Sequence, residues 1–188
     1  MGSCKSRLPL RSVPGRDVTS DTLLLAELAG TCPCTVCVDL GTGTGEVLRF
    51  AHLSEAFRVG IDFSPVALSM FPAEAGQPVL CSVQQIPSTF RPACADLVLA
   101  NPPYNTYGEG RASPDVLRSE AREGDSLLLH RFIFAGAHLL KPSGFMVITG
   151  RRERKTEMEI GLRAAGFHQV ELFDRGRVIA LKALLSDS

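Results

Sequence analysis

The segment Asn101-Pro102-Pro103-Tyr104 has the residue types and spacing of a site that orients a planar N–H group. The Asn101 side-chain oxygen and the Pro102 carbonyl oxygen can each accept one N–H, which would fix the direction of the nitrogen lone pair. The Tyr104 ring offers a face on which a planar group can stack. An exocyclic adenine amine or a glutamine amide needs such help, because delocalisation makes its nitrogen a poor nucleophile. We therefore predict that Asn101, Pro102 and Tyr104 are catalytic and that Pro103 contacts the substrate; a simple proline-rich turn is the alternative.

A glycine-rich turn, residues 41–45, joins an apolar strand to a helix that begins near Glu46. Glycines at alternate positions let a ligand approach the backbone closely, and the helix start offers free N–H groups. Glu46 occupies the position where a dinucleotide-binding turn has its third glycine, and a carboxylate there would repel a pyrophosphate. The acid Asp39 favours S-adenosylmethionine, which is a sulfonium cation without phosphate. The residues predicted to bind this cofactor here are Asp39, Gly41, Thr42, Gly43 and Gly45.

A second carboxylate, Asp62, ends the apolar segment 57–62. Its place at the end of the second strand suits acceptance of hydrogen bonds from two ribose hydroxyls of the donor. The alternative is that Asp62 caps the turn at Ser64-Pro65.

The elements that must position these motifs alternate between strand and helix. Strands are predicted at residues 36–40, 57–62, 79–81, 95–100, 145–149, 170–173 and 178–184. Helices are predicted at residues 20–29, 46–51, 127–140 and 154–165, with a short helix from residue 65 and a long polar loop from residue 104 to about Gly124. This order predicts a three-layer Rossmann-like α/β fold with a mostly parallel seven-stranded sheet, whose last strand is antiparallel because a tight turn precedes it.

Composition predicts one domain, residues 19–188, after a flexible basic leader, residues 1–18. The 188 residues are 45% hydrophobic, and 20 acidic residues balance 20 basic ones. Nucleic-acid contact would therefore depend on local patches rather than on net charge. Because no apolar stretch approaches about 20 residues and no secretory leader is evident, we expect a cytoplasmic protein without a membrane segment.

The six cysteines raise the question of a metal site. Zinc sites usually need two separated ligand pairs, whereas Cys32, Cys34 and Cys37 form one cluster and Cys37 falls inside the first strand. We predict no metal. The start Met1-Gly2-Ser3-Cys4 also matches a short lipidation pattern, but a disordered leader is the preferred interpretation.

The combination of the 39–45 turn, Asp62 and Asn101-Pro102-Pro103-Tyr104 resembles class I S-adenosylmethionine-dependent methyltransferases that act on planar nitrogens. Four further segments are similar to the bacterial tRNA1(Val) (adenine-N6)-methyltransferases, which modify the adenosine beside the anticodon. The segments are Gly108-x-Gly110-Arg111-x-Ser113-Pro114, Ala121-Arg122-Glu123, Leu139-Leu140-Lys141-Pro142-x-Gly144 and Arg151-x-Glu153-Arg154. The similarity covers about residues 18–170. It implies that Gly41, Gly43, Gly45 and Asp62 hold the donor and that Asn101, Pro102 and Tyr104 hold the target adenine.

The chain departs from that family pattern after the third strand. The segment from Asp62 to Asn101 is short, and polar residues near Ser82 stand where the family usually has an acid. We predict that the Gln84 amide binds the adenine of the donor. The alternatives are that Gln85 does so, or that these glutamines are solvated loop residues.

Two basic clusters are candidates for phosphate contacts. Arg111, Arg118 and Arg122 lie in the predicted loop, and Arg151 begins a basic run after the fifth strand. Salt-bridged surface patches are the alternative, because acidic residues are interspersed. The function predicted is methylation of the N6 amine of an adenine in tRNA. The alternatives are a glutamine-N5 methyltransferase acting on release factors and a non-catalytic module that binds S-adenosylmethionine or RNA.

Overall fold

The computed structural model of the chain describes residues 19–53, 55–103 and 116–187, with side chains described from residue 126 in the last range. The predictions for the leader, for Tyr104 and for Arg111 therefore lie outside the described residues.

Within these ranges the chain forms six α-helices and seven strands. The helices are α1 (Ser20–Ala29), α2 (Glu46–Phe50), α3 (Pro65–Leu68), α4 (Ile86–Thr89), α5 (Val116–Leu139) and α6 (Lys155–Ala164). The strands are β1 (Val36–Leu40), β2 (Phe57–Asp62), β3 (Gln77–Leu80), β4 (Ala95–Ala100), β5 (Leu140–Arg151), β6 (Phe167–Arg175) and β7 (Val178–Leu185). Short 3₁₀ turns lie at Ala73–Ala75 and Arg152–Arg154.

The seven strands form one sheet in the order β3-β2-β1-β4-β5-β7-β6. The five strands from β3 to β5 run parallel, whereas β7 is antiparallel to both of its neighbours, β5 and β6. This arrangement confirms the predicted fold class, including the antiparallel last strand.

The central strands are buried on both faces, as their continuous apolar sequences require. In β4, Leu97 and Leu99 pack with α1 and α2 on one face, while Val98 and Ala100 pack with α5 on the other. The period of two along the strand thus divides the core into two layers. The rigid centre of the sheet ends at the edge where the predicted motifs begin.

The predicted loop up to Gly124 is wrong, because α5 already begins at Val116. Arg118 and Arg122 therefore lie on a helix. A single glycine inside a helix costs only about 1 kcal/mol relative to alanine, and the surrounding residues are good helix formers. Gly124 was consequently too weak a signal to end a helix in this sequence.

The other boundaries differ by a few residues. Strand β3 begins at Gln77, β5 begins directly after α5, and α4 was not predicted. Strand β5 starts early because Leu140 pairs with Ala95, after which the register shifts. The irregular segment is tied to β4 by an ion pair between Lys141 and Asp96, at 2.6 Å.

Candidate functional site

The register of the sheet brings the predicted motifs to one edge. One row of paired, buried residues crosses four strands: Ile61, Leu40, Ala100 and Ile148. The next residue on each strand forms the row at the carboxyl edge: Asp62, Gly41, Asn101 and Thr149. Neighbouring strands lie about 4.8 Å apart, so the backbones at Asp62 and Asn101, two strands apart, are separated by roughly 10 Å. The motifs predicted to bind the methyl donor and the acceptor therefore flank the same short stretch of sheet edge.

The three glycines of the turn differ in what surrounds them, although each has a positive φ (69°, 57° and 81° in chain order). A Cβ on Gly41 would lie 3.1 Å from the Phe132 ring, and one on Gly45 would lie 2.6 Å from the Phe71 ring. A Cβ on Gly43 would meet no described atom within 4 Å. Gly41 and Gly45 thus pack against aromatic rings of the protein, whereas Gly43 borders space that the described residues leave open and in which a ligand can lie.

Asp39 lies beneath this turn and is almost fully buried, with 1% of its surface exposed. The Thr42 hydroxyl donates a hydrogen bond to Asp39 Oδ2, at 2.7 Å. Burial raises the pKa of Asp39 to about 7, an effect that the Thr42 hydrogen bond reduces and the negative charge of Asp62 increases. Because a nearby cation would stabilise the ionised form, Asp39 is placed to respond to a positively charged ligand.

Asp62 connects the glycine turn to the end of β2. Its Oδ2 atom accepts the Gly43 N–H and its Oδ1 atom accepts the Ser64 N–H, each at 2.8 Å. The second contact is the turn cap that the sequence offered as the alternative. A carboxylate oxygen has two lone pairs, so both oxygens retain the capacity to accept a hydroxyl group. Capping and ribose binding are therefore compatible at Asp62.

Asn101 is half-buried at the end of β4, and its Oδ1 atom accepts a hydrogen bond from the Thr149 hydroxyl at 2.7 Å. Pro102 is buried and Pro103 is exposed. Sequence reasoning missed Thr149. Its only signal was a polar residue at the end of an apolar strand, which is also the pattern of an ordinary strand end.

An exposed aromatic ring was also missed. Phe63 follows Asp62 directly and is 76% exposed. Of the two glutamines considered for the donor, Gln85 accepts hydrogen bonds from the Ser82 N–H and hydroxyl, at 3.3 and 3.0 Å. Gln84 is exposed in the same turn. Phe63 and Gln84 are therefore among the exposed side chains beside Asp62 and beyond β3.

Most of the basic run after β5 is engaged in ion pairs. The pairs are Arg152 with Asp174 at 2.5 Å, Arg154 with Glu157 at 2.9 Å and Lys155 with Glu159 at 2.6 Å. The hydrogen bond from Arg154 lowers the pKa of Glu157. These contacts match the alternative of salt-bridged surface patches. Exposed ion pairs contribute only about 0–1 kcal/mol to the free energy of unfolding, so the basic side chains can exchange their carboxylate partners for phosphate groups. Arg151 is exposed at the end of β5.

No group of three or more potential metal-ligating side chains occurs among the residues that the structure describes. The five cysteines in these ranges are free thiols, and burial raises the pKa of the Cys37 thiol. In the same ranges, the helices are too short or too polar to cross a membrane.

Curated relatives of the chain are named as methyltransferases, although no protein-family model matches it. It is 29% identical over 159 residues to the tRNA1(Val) (adenine(37)-N6)-methyltransferase of Porphyromonas gingivalis, covering 76% of this chain and 62% of that relative. It is 32% identical to the enzyme of the same name from Bacteroides thetaiotaomicron, covering 70% of this chain and 58% of the relative. It is also 32% identical to a release factor glutamine methyltransferase of Cereibacter sphaeroides, covering 70% and 52%. The chain thus spans only about half to three-fifths of these relatives.

Solved methyltransferase structures have the same fold. TrmN from Thermus thermophilus superimposes with a TM-score of 0.63 at 20% identity, covering 88% of this chain and 47% of TrmN. A predicted O-methyltransferase from Agrobacterium tumefaciens superimposes with a TM-score of 0.66 at 16% identity, covering 87% and 80%. The class I methyltransferase fold predicted from the sequence is confirmed, as is the resemblance to tRNA1(Val) methyltransferases.

Proposed function

We propose that this chain is an S-adenosylmethionine-dependent methyltransferase that methylates the exocyclic N6 amine of an adenine in tRNA. The observation that carries the proposal is the row at the sheet edge, which places Asn101 one strand away from the glycine turn and two strands away from Asp62. Asn101, which can accept an N–H, and the glycine turn, which can hold a small ligand, thus lie at the same edge of the sheet. Methyltransferases use this fold.

The donor cradle fits S-adenosylmethionine on three features of this chain. Gly43 leaves open space beside the backbone, Asp62 offers acceptors for ribose hydroxyls, and Asp39 places a carboxyl group below the turn. The exposed ring of Phe63 is suited to stack on a purine, and the Gln84 amide can bind its edge. When bound, this cofactor supplies an electrophilic methyl group on a sulfonium centre.

The acceptor side of the site acts through orientation rather than strong base catalysis. The Asn101 Oδ1 atom and the Pro102 carbonyl oxygen each accept one N–H of the target amine, which aims the nitrogen lone pair at the methyl group. Tyr104 is proposed to stack on the adenine ring. After transfer, the nitrogen carries a positive charge and is strongly acidic, so a solvent water can take its proton.

The tRNA substrate is inferred from the relatives named tRNA1(Val) (adenine(37)-N6)-methyltransferase. We infer that Arg151, at the active edge of β5, contacts RNA phosphates, together with Arg118 and Arg122 of α5 and Arg111 between β4 and α5. Arg177 is exposed in the turn next to Arg151 and extends this basic surface. A tRNA substrate also agrees with the cytoplasmic location expected from the sequence.

A second candidate is supported by the release factor glutamine methyltransferase among the relatives. A glutamine amide nitrogen poses the same problem of a delocalised lone pair, and the same Asn101 and Pro102 acceptors would orient it.

Radiolabelled S-adenosylmethionine separates the candidates when the purified chain is incubated with unmodified total tRNA or with a release factor. We expect label in tRNA, recovered as N6-methyladenosine by mass spectrometry, and at least about a hundredfold less label with Asn101→Ala. Label in the protein substrate alone would establish the glutamine reaction instead. If the chain binds the donor but labels neither tRNA nor the release factor, the remaining candidate is a non-catalytic binding module.

A further inference from the structure

The Thr149 hydroxyl is a polar group in an apolar surrounding. Thr149 is fully buried and follows three fully buried residues of β5, Met146, Val147 and Ile148. A hydroxyl group in such a place destabilises the fold unless it is hydrogen-bonded. Its hydrogen-bond partner therefore indicates why a threonine rather than a valine stands here.

The hydroxyl has one proton and two nearby acceptors. Asn101 Oδ1 lies 2.7 Å away, which is the usual O–H to O distance, whereas the Ala100 carbonyl oxygen lies 3.4 Å away. The shorter contact takes the proton. The Thr149 hydroxyl is also held in place. The side chain of β-branched threonine has restricted rotation, and the pairing of Ala100 with Ile148 fixes β4 against β5.

This contact determines which end of the Asn101 amide occupies which position. The oxygen and the NH2 group of an asparagine are similar in shape and exchange by rotation about the last side-chain bond. With the amide flipped, the NH2 group would donate to the Thr149 oxygen, and the hydroxyl proton would be left with the Ala100 carbonyl oxygen, 3.4 Å away. The flipped amide would also offer donors where the target amine needs acceptors. With Thr149 donating, the Asn101 oxygen stays at the position where it can accept an N–H of the target amine.

We propose that Thr149 is a positioning residue that sets the orientation of the Asn101 amide for methyl transfer. The inference rests on the proposed function and deepens it. Thr149 acts through Asn101 and not on the substrate, so its loss is expected to affect the transfer step and not the binding of either substrate.

The decisive variant is Thr149→Val, which keeps the shape and removes the hydroxyl. We expect kcat for tRNA to fall about tenfold to a hundredfold, with the KM for tRNA and the donor affinity unchanged within about twofold. Thr149→Ser, which restores the hydroxyl, should recover most of the kcat. Thr22→Val is the matched control, because Thr22 is also buried and its hydroxyl forms a hydrogen bond with the hydroxyl of Thr19, the residue before α1. The kcat of this variant should equal that of the wild type.

A double-mutant cycle separates positioning from a structural role. In the Asn101→Ala background, Thr149→Val should cause no further loss, since there is no amide left to orient. A wild-type kcat in Thr149→Val, an additive loss in the double variant, or a parallel loss of donor affinity would each overturn the inference while leaving the proposed function intact. If Thr149→Val does not fold, the comparison of Thr149→Ala with Thr149→Ser gives the same test. A wild-type chain that methylates neither tRNA nor protein would overturn the proposed function and this inference with it.

Discussion

The substitution Gly43→Ala tests whether the open space at the glycine turn is the donor cradle. The backbone at Gly43 has φ 57°, and an added Cβ would meet no described atom within 4 Å. The fold would therefore incur only the backbone cost of a left-handed alanine, about 1–2 kcal/mol. The hydrogen bond from the Gly43 N–H to Asp62 is preserved, because alanine keeps the N–H. Any loss of donor binding would then come from the methyl group itself.

Gly176→Ala provides a matched control. Gly176 has φ 82° and lies in the turn between β6 and β7, and a Cβ there would also meet no described atom within 4 Å. Both variants should lose the same stability in urea unfolding. Isothermal titration with S-adenosylhomocysteine should show at least about tenfold weaker binding for Gly43→Ala only, since a methyl group would occupy space that a closely packed ligand needs. Equal, wild-type-like binding by the two variants would refute the assignment of the cradle.

Three further outcomes are expected. Because the pKa of Asp39 rises from 3.8 in the unfolded chain to about 7 in the fold, the stability of the wild type should decrease as pH increases across that range and then level off. In urea unfolding, Asp39→Asn should not show this decrease, so its free energy of unfolding should rise relative to that of the wild type up to about pH 7. A difference that does not change with pH would contradict the burial argument. Asn101→Ala should lower kcat at least about a hundredfold with donor affinity nearly unchanged in calorimetry, and normal turnover would exclude its orienting role. Arg151→Ala should reduce the slope of log affinity for tRNA against log salt by about one, while a slope equal to that of the wild type would exclude a phosphate contact.

The parts of the fold that were predictable depend on local patterns. The apolar runs that became β1, β2 and β4 were bounded correctly, because buried parallel strands need continuous apolar sequence and the motifs follow directly after them. The placement of Asp62 and Asn101 at one edge followed from the same rule. A parallel sheet brings all of its carboxyl ends together, whatever the distance in sequence.

The parts that were not predictable depend on register and on competition between weak signals. The contact of Thr149 with Asn101 joins residues 48 positions apart, and it exists only because β4 and β5 pair with Ala100 opposite Ile148. The start of α5 was missed because the helix-breaking effect of Gly124 is comparable in size to the helix propensity of its neighbours. The turn at Gly43 was identified, but the contrast between its open space and the packed Gly45 requires knowledge of where Phe71 lies.

The position of β7 has a consequence for the order in which the molecule forms during synthesis. Strand β7 follows β6 along the chain but lies between β5 and β6 in the sheet. Until residues 178–185 have left the ribosome, β6 lacks the strand it pairs with in the described part of the chain, and one side of β5 has unpaired backbone groups. The strand that carries Thr149 is therefore an open edge in the nascent chain, where it can pair with other chains. Completion of the sheet edge that carries the candidate site and protection against aggregation thus both await the synthesis of β7.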